Sequence, residues 1–191
     1  MHLTLLLLSA LALASSFMAA LAATTDRPAV KDSTIIRSTA GCPACPEQDC
    51  LKCTLGFHKT LGAKANAHNF TQTLVGFRIP ALTSSITKCT VQFPAFTRLS
   101  PDPFNITVAA ASSSDWNEGT VTGETAPASG PVFATFNVPE YNNPPALDVT
   151  PACLRADDKR RFSIYIGTDD GRFEIWSKDS GNAAILHVSH E

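Results

Sequence analysis

The sequence predicts an all-β protein, an antiparallel β-sandwich of the jelly-roll type that follows a short N-terminal disulfide-rich segment. Three observations support this prediction. Short segments of alternating apolar and polar residues recur from Thr54 onward, separated by turn residues. Thr, Ser, Ala, Pro and Val are abundant while charged residues make up 17% of the chain, which is typical of a secreted β-protein. No long segment has the apolar spacing of an amphipathic helix.

The N-terminus predicts a signal peptide over residues 1–22. This segment has no acidic residue, a long run of Leu and Ala, and Ala20 and Ala22 at the positions of a cleavage site. The rival interpretation is a membrane anchor, but serines interrupt the run before it reaches the roughly 20 apolar residues of a span. We therefore expect a secreted, extracellular protein without a membrane segment in its mature form, with the cell wall as a candidate location.

Residues 23–53 are predicted to form a flexible stalk and then a cysteine-rich segment. The stalk is polar and has no periodicity. The segment "GCPACPEQDCLKC" follows, and an even number of cysteines in an oxidising compartment predicts disulfides among Cys42, Cys45, Cys50 and Cys53. Zinc is the alternative, although the pairs lie closer together than the roughly 15 to 20 residues of a zinc ribbon.

The domain over residues 54–191 begins with three predicted strands. Residues 73–80, "TLVGFRIP", alternate and end at Pro80. Residues 86–96 place Cys89 and alternating apolar residues on one face, and residues 104–111 follow the turn "SPDP".

Five further strands complete the domain. Residues 119–123 and 131–139 are rich in Thr, Val and Phe. Residues 161–167 and 171–178 flank "TDDG", a hairpin turn in which Gly171 is available for positive φ. Residues 183–190 form the last strand, and the segment after Val149 predicts one turn of helix.

Cys89 and Cys153 are the two cysteines outside the cluster. If they pair, they close a loop of 63 intervening residues, which the chain-entropy model values at roughly 4 kcal/mol. The sequons at Asn69 and Asn105 are candidate glycosylation sites in a eukaryotic secretory pathway.

Asp115 and Glu118 are the carboxylates that an enzyme hypothesis would use. Two carboxylates that hydrolyse a glycosidic bond face each other across it, roughly 5 to 9 Å apart, whereas residues three apart lie side by side on one loop. Trp116, between them, is expected to anchor this loop or fill the core.

Other enzyme motifs, namely HExxH, GxSxG and a phosphate-binding loop, are missing from the sequence. A net charge of −2 does not indicate a surface that binds nucleic acid. The sequence predicts no enzyme.

The strand at 171–178 carries the candidate binding site. Its alternation places Arg172, Glu174, Trp176 and Lys178 on one face, and Tyr165 can join them across the hairpin. Sugar rings stack on aromatic side chains while polar groups bind their hydroxyls. These five residues therefore predict a polysaccharide site, the alternative being a half-exposed strand without a ligand.

No cofactor or metal is predicted. Calcium binding by the adjacent acids Asp169 and Asp170 is an unproven alternative.

Several segments, in order, resemble the DNRLRE-type β-sandwich domain grouped with carbohydrate-binding module family 96. The matching residues are Trp116, Glu118, Thr120, Val121 and Thr122, then Asp148, Val149 and Thr150, and finally Ser177, Lys178 and Asp179. The chain departs from the family pattern at three positions. Gly123 replaces a second Trp, Ile79 replaces an acidic residue, and Asp179, although it aligns with the last motif, replaces its Glu. The cysteine-rich segment is no part of the pattern. The resemblance implies a secreted jelly roll that binds polysaccharides without catalysis.

The expected function is therefore a secreted, non-catalytic module that binds a polysaccharide of a cell wall or extracellular matrix. The first rival is a structural surface protein without sugar recognition, and the second is a polysaccharide hydrolase or lyase on the same fold. The sequence leaves the oligomeric state open.

Overall fold

The computed structural model describes residues 22–38, 43–46, 49–66 and 69–191. These residues form eleven strands, one short α-helix and two 3-10 helices, Cys50–Lys52 and Lys178–Ser180. The strands are β1 (Ala23–Pro28), β2 (Lys31–Ser38), β3 (Thr60–Asn66), β4 (Asn69–Arg78), β5 (Ile86–Gln92), β6 (Phe104–Ala111), β7 (Ser129–Val138), β8 (Leu147–Asp148), β9 (Arg161–Thr168), β10 (Arg172–Trp176) and β11 (Ile185–His190). The helix α1 (Thr150–Cys153) lies between β8 and β9, where the sequence predicts one helical turn.

The strands form two antiparallel sheets, which confirms the predicted β-sandwich. The small sheet has the order β1-β11-β5-β8. The large sheet has the order β10-β3-β4-β9-β6-β7, and β2 also pairs with β4. β10, β7 and β2 therefore each pair with one strand only and form the edges of the large sheet.

The main core lies between the two sheets. Alternate residues of β4 and β9 point into it, including Val75, Phe77, Phe162 and Ile164, and they meet Val91 and other residues of the small sheet. A second apolar cluster covers the opposite face of the large sheet, where Ile35, Leu74, Ala109, Val121 and Tyr165 pack against Trp116.

The flexible stalk predicted for the first part of residues 23–53 is wrong where the structure describes it, residues 23–38. β1 pairs with β11 along its length, and β2 pairs with β4 from Lys31 to Ser38. Ser33 and Ile35 are both buried. Because β2 is covered by protein on both faces, its polar residues bond within the protein rather than alternating with apolar ones, and the period-2 signal is lost.

Seven of the eight predicted strands are confirmed within a few residues. β1, β2, β3 and β8 were not predicted as strands. Residues 119–123 form turns instead of a strand, since the N–H groups of Thr120 and Val121 both bond to the carbonyl of Asn117. The Thr-Val-Thr sequence favours a strand, but this short segment closes a loop and finds no partner strand.

Two disulfides are described. Cys89–Cys153 joins β5 to α1, as predicted, and Cys45–Cys53 lies in the cysteine-rich segment. A cysteine in a disulfide offers no thiolate to zinc, so a four-cysteine zinc site is excluded. Cys42 and residues 1–21 lie outside the described residues, and Cys50 is buried.

The two sequons remain predictions. Asn105 lies on β6, and its side-chain amide donates to Asp169 Oδ2 at 2.8 Å. Asn69 begins β4.

Candidate functional site

The edge strand β10 presents the face that the sequence predicts. Arg172, Glu174 and Trp176 are exposed, while Phe173 and Ile175 between them are buried in the core. The alternation is therefore confirmed for these three residues. Their binding role stays a prediction.

A groove of about 750 Å³ opens beside β10 and is called the β10 groove here. One wall consists of Arg172 and Glu174 with neighbouring residues of β3, and the other is the loop of residues 96–101. Thr97 holds this loop against the strand, because its N–H donates to the Glu174 carbonyl at 2.9 Å and its hydroxyl to Glu174 Oε2 at 3.0 Å. The groove thus forms between segments that are far apart in sequence.

The interior end of the β10 groove is aromatic. The rings of Phe96, Phe104 and Phe173 lie with centroids 5.6 to 5.8 Å apart. All three residues line the groove. This packed cluster belongs to the sandwich and gives the groove a rigid floor.

Four charged side chains line the β10 groove, three basic and one acidic: Lys64, Arg98, Arg172 and Glu174. Arg98 is exposed on the 96–101 loop, and Lys64 lies opposite Arg172 in the strand pairing. Guanidinium, ammonium and carboxylate groups in an open, polar groove are suited to bind hydroxyl or carboxylate groups of a ligand. Lys64 and Arg98 were not among the predicted site residues, because neither lies on a segment whose residue pattern predicts a binding face.

Trp176 does not line the groove but lies at the end of the same strand, 38% exposed. Ser177, next to Trp176, donates its N–H to the carbonyl of Lys59. Phe57, which is 65% exposed, lies near Lys178, whose ammonium is 5.9 Å from its ring centroid. Trp176 extends the outward face of β10 beyond the groove.

Tyr165 is a correction to the predicted site. Its side chain does lie opposite Phe162 and Ile164, as the alternation indicates, yet the ring is fully buried. Its hydroxyl donates to the carbonyl of Pro127 at 2.6 Å, and the Arg37 guanidinium lies 5.3 Å from the ring centroid. Burial raises the pKa of this hydroxyl. Residues 112–127 cover the face, so Tyr165 cannot contact a polymer.

Lys178 is a second correction. β10 ends at Trp176, and a short 3-10 helix over residues 178–180 begins after Ser177. The Lys178 ammonium lies 3.0 Å from Glu118 Oε2 and 3.0 Å from Asp179 Oδ2. Burial acts to lower the pKa of Lys178, but its bonds to these two carboxylates outweigh burial and raise it. The side chain joins the loop to the sandwich instead of facing the groove.

Asp32 completes this charged cluster and is almost fully buried. Its N–H donates to Glu118 Oε1 at 2.7 Å, and its Oδ2 accepts from the Lys178 N–H at 2.9 Å. Its Oδ1 is buried and has no hydrogen-bond partner among the described residues. Burial raises the pKa of Asp32 to about 6.

Asp32, Glu118 and Asp179 are the residues best placed to hold a metal ion among those that the structure describes, with ligand atoms within 4.8 Å of one another. The Lys178 ammonium already supplies a positive charge at this place. Asp169 and Asp170, named above for calcium, bond instead to Asn105 and to the N–H of Gly171.

Asp115 and Glu118 lie in different environments. The Asp115 side chain is 86% exposed and lies 3.5 Å from Arg161, whereas Glu118 belongs to the Lys178 cluster. Trp116 anchors the loop between them, as expected: its Nε1 donates to Ser163 Oγ at 3.0 Å and the Lys31 ammonium lies 4.2 Å from its ring centroid. The two carboxylates do not face each other across a cleft.

Comparison with known proteins identifies relatives of this chain. The profile of carbohydrate-binding module family 96 matches residues 53–190. A protein of Arthroderma benhamiae, described as an uncharacterized secreted protein, is 55% identical over 166 residues, which cover 87% of this chain and 85% of the relative. In the part of the chain that the structure describes, no helix is long and apolar enough to span a bilayer.

Proposed function

Because the chain belongs to carbohydrate-binding module family 96, we propose that it is a secreted, non-catalytic protein that binds a polysaccharide of a cell wall or extracellular matrix in the β10 groove. The observation that carries this proposal is that Arg172 and Glu174 lie on the exposed face of an edge strand and form one wall of an open polar groove.

Trp176 is proposed as a stacking platform beyond the end of the groove. Its ring is large, exposed and held by a strand whose other face is part of the core, so little side-chain entropy is lost on binding. Phe57 offers a second exposed ring near Lys178, two residues after Trp176 along the chain.

The relative's description and the two disulfides support secretion. Disulfides persist mainly in oxidising compartments outside the cytosol.

Binding to a panel of insoluble wall polysaccharides tests the proposal. The panel contains neutral and acidic polymers, because three of the four charged side chains at the groove are basic. We expect retention on at least one polymer and at least about tenfold weaker binding of Arg172→Ala, which corresponds to about 1.4 kcal/mol. Arg155→Ala is the matched control, since Arg155 is also exposed but lines a different cavity.

The aromatic platform is tested in the same assay. Trp176→Ala is expected to weaken retention. Trp116→Phe loses the hydrogen bond to Ser163 but keeps an aromatic ring, and it is expected to leave retention unchanged because Trp116 does not line the groove. Retention of Trp176→Ala at the wild-type level would remove the platform from the proposal. Retention on no polymer would favour the structural surface protein, and release of reducing ends from a polymer would favour the hydrolase.

A further inference from the structure

Tyr141 has an unusual backbone conformation in a loop beside the β10 groove. Its φ is 53°, in the left-handed region, and Arg160 is the other non-glycine residue with a positive φ in the part of the chain that the structure describes. Tyr141 is the third residue of a turn in which the Asn142 N–H donates to the Pro139 carbonyl at 3.3 Å. A positive φ at this position favours glycine or asparagine, because a Cβ there crowds the backbone. The tyrosine therefore costs stability.

Packing of the Tyr141 ring does not offset this cost. The side chain is 63% exposed, so it keeps most of its apolar area in contact with water. A strained backbone that brings no packing gain points to a role outside the core, since such residues cluster where proteins bind their ligands. The exposed ring is the part of this residue that a ligand could contact.

The loop that carries Tyr141 supports the wall of the β10 groove that faces β10. The Tyr141 N–H donates to the carbonyl of Ser100 at 2.8 Å, and Asn143 Oδ1 accepts from the N–H of Phe96 at 3.1 Å. Ser100 and Phe96 both belong to the 96–101 loop that forms this wall. Tyr141 is therefore fixed to the wall opposite β10.

The position of Tyr141 along the groove follows from the direction of the wall. Phe96 forms an antiparallel bridge to Ile175, so the 96–101 loop runs back along β10 and Ser100 lies toward the first residue of the strand, Arg172. Trp176 is the last residue of the strand. Four residue steps of a strand are about 13 Å. The rings of Tyr141 and Trp176 thus belong to opposite ends of the groove.

We propose that Tyr141 is a stacking platform on this wall, and that the ligand of the β10 groove is a stretch within a polysaccharide chain that contacts Trp176 at one end and Tyr141 at the other. Sugar rings stack on exposed aromatic faces. A single sugar is too short to contact both rings, so chain ends and monosaccharides bind more weakly than a longer stretch. This inference rests on the proposed function, because it concerns the same groove.

Retention on the polymer that binds the wild-type protein tests the platform. Tyr141→Gly removes the ring, and we expect about fivefold to tenfold weaker retention. The same change raises the urea midpoint of unfolding, because relief of the strained φ outweighs the added freedom of glycine in the unfolded chain. Tyr141→Phe keeps the ring and is expected to bind like the wild type.

Arg160→Gly is the matched control. It removes the other positive-φ side chain, which is exposed and does not line the groove. We expect it to raise the urea midpoint without weakening retention. A lower midpoint for Tyr141→Gly would show that the tyrosine stabilises its loop, and would overturn the inference.

A length series of oligosaccharides cut from the same polymer, titrated by calorimetry, tests the span. We expect the affinity of the wild type to rise beyond the disaccharide, and that of Tyr141→Gly to stop rising at a shorter length. Wild-type retention by Tyr141→Gly, or an affinity that does not rise beyond the disaccharide, would overturn the inference. If Arg172→Ala still weakens retention in that case, the proposed function survives without the platform. A wild-type protein that binds no polymer overturns both.

Discussion

Asp32 shows how one residue connects β2, the loop of residues 112–127 and the segment after β10. Its carboxylate accepts the Lys178 N–H while its own N–H donates to Glu118. Removing this carboxylate from water raises its pKa from 3.8 to about 6. A raised carboxyl pKa means that the folded state prefers the protonated form, so this group's stabilisation is full below pH 3.8 and is lost as the pH rises through about 6.

Asp32→Asn is therefore expected to stabilise the protein at pH 7.5 and to change it little at pH 4. The shift corresponds to about 3 kcal/mol at most, and Asn keeps the acceptor for the Lys178 N–H. Urea denaturation at a series of pH values measures the effect, with Asp158→Asn, an exposed residue, as the control. A difference between Asp32→Asn and wild type that is constant from pH 4 to 7.5 would contradict this account.

At the scale of elements, the loop of residues 112–127 acts as a cover on the outer face of the large sheet. Glycines let its backbone approach neighbouring segments closely. A Cβ on Gly123 would lie 2.2 Å from the carbonyl oxygen of Ile36, and one on Gly56 would lie 1.8 Å from that of Glu118. The family pattern has a second Trp at the position of Gly123. The close contact of Gly123 with β2 and the adjacent cysteine-rich segment explains why this chain has glycine there.

Gly123→Ala is expected to destabilise the protein by about 1–3 kcal/mol. The new Cβ would overlap a backbone carbonyl oxygen, which cannot move away by a side-chain rotation. The free energy of unfolding, measured by chemical denaturation, checks this. Gly62→Ala is the matched control, since its Cβ would meet only the Phe173 carbonyl at 3.9 Å. Equal stability of Gly123→Ala and wild type would show that the loop shifts easily.

At the scale of the whole molecule, the two sheets are joined by more than their core. The Cys89–Cys153 disulfide connects β5 of the small sheet to α1, which leads directly into β9 of the large sheet. Its sequence separation of 64 residues includes β6, β7 and β8. The cross-link therefore restrains about a third of the chain in the unfolded state.

The double variant Cys89→Ala/Cys153→Ala is expected to lose about 4 kcal/mol of stability, the value for a loop of this length in the chain-entropy model. That is a large share of the 5–15 kcal/mol typical of a domain. Denaturation of the variant beside the wild type, both under non-reducing conditions, measures it. A loss below about 1 kcal/mol would mean that the unfolded chain is not restrained in this way.

The predicted binding face shows which side-chain orientations could be predicted from the sequence. The alternation of β10 correctly gave exposed Arg172, Glu174 and Trp176, because a strand's period of two is a local property. The same rule put Tyr165 on the correct side of β9 but could not tell that a loop from residues 112–127 covers that side. It failed for Lys178 because the strand ends two residues earlier.

Residue patterns alone were enough to determine the all-β class, most strand positions, the Cys89–Cys153 pair and the outward face of β10. Only the tertiary structure decided that residues 23–38 belong to the sheets, that Tyr165 is buried, and that the 96–101 loop forms one wall of the β10 groove. The physical reason is that alternation is fixed by neighbouring residues, whereas burial depends on which distant segment packs on top.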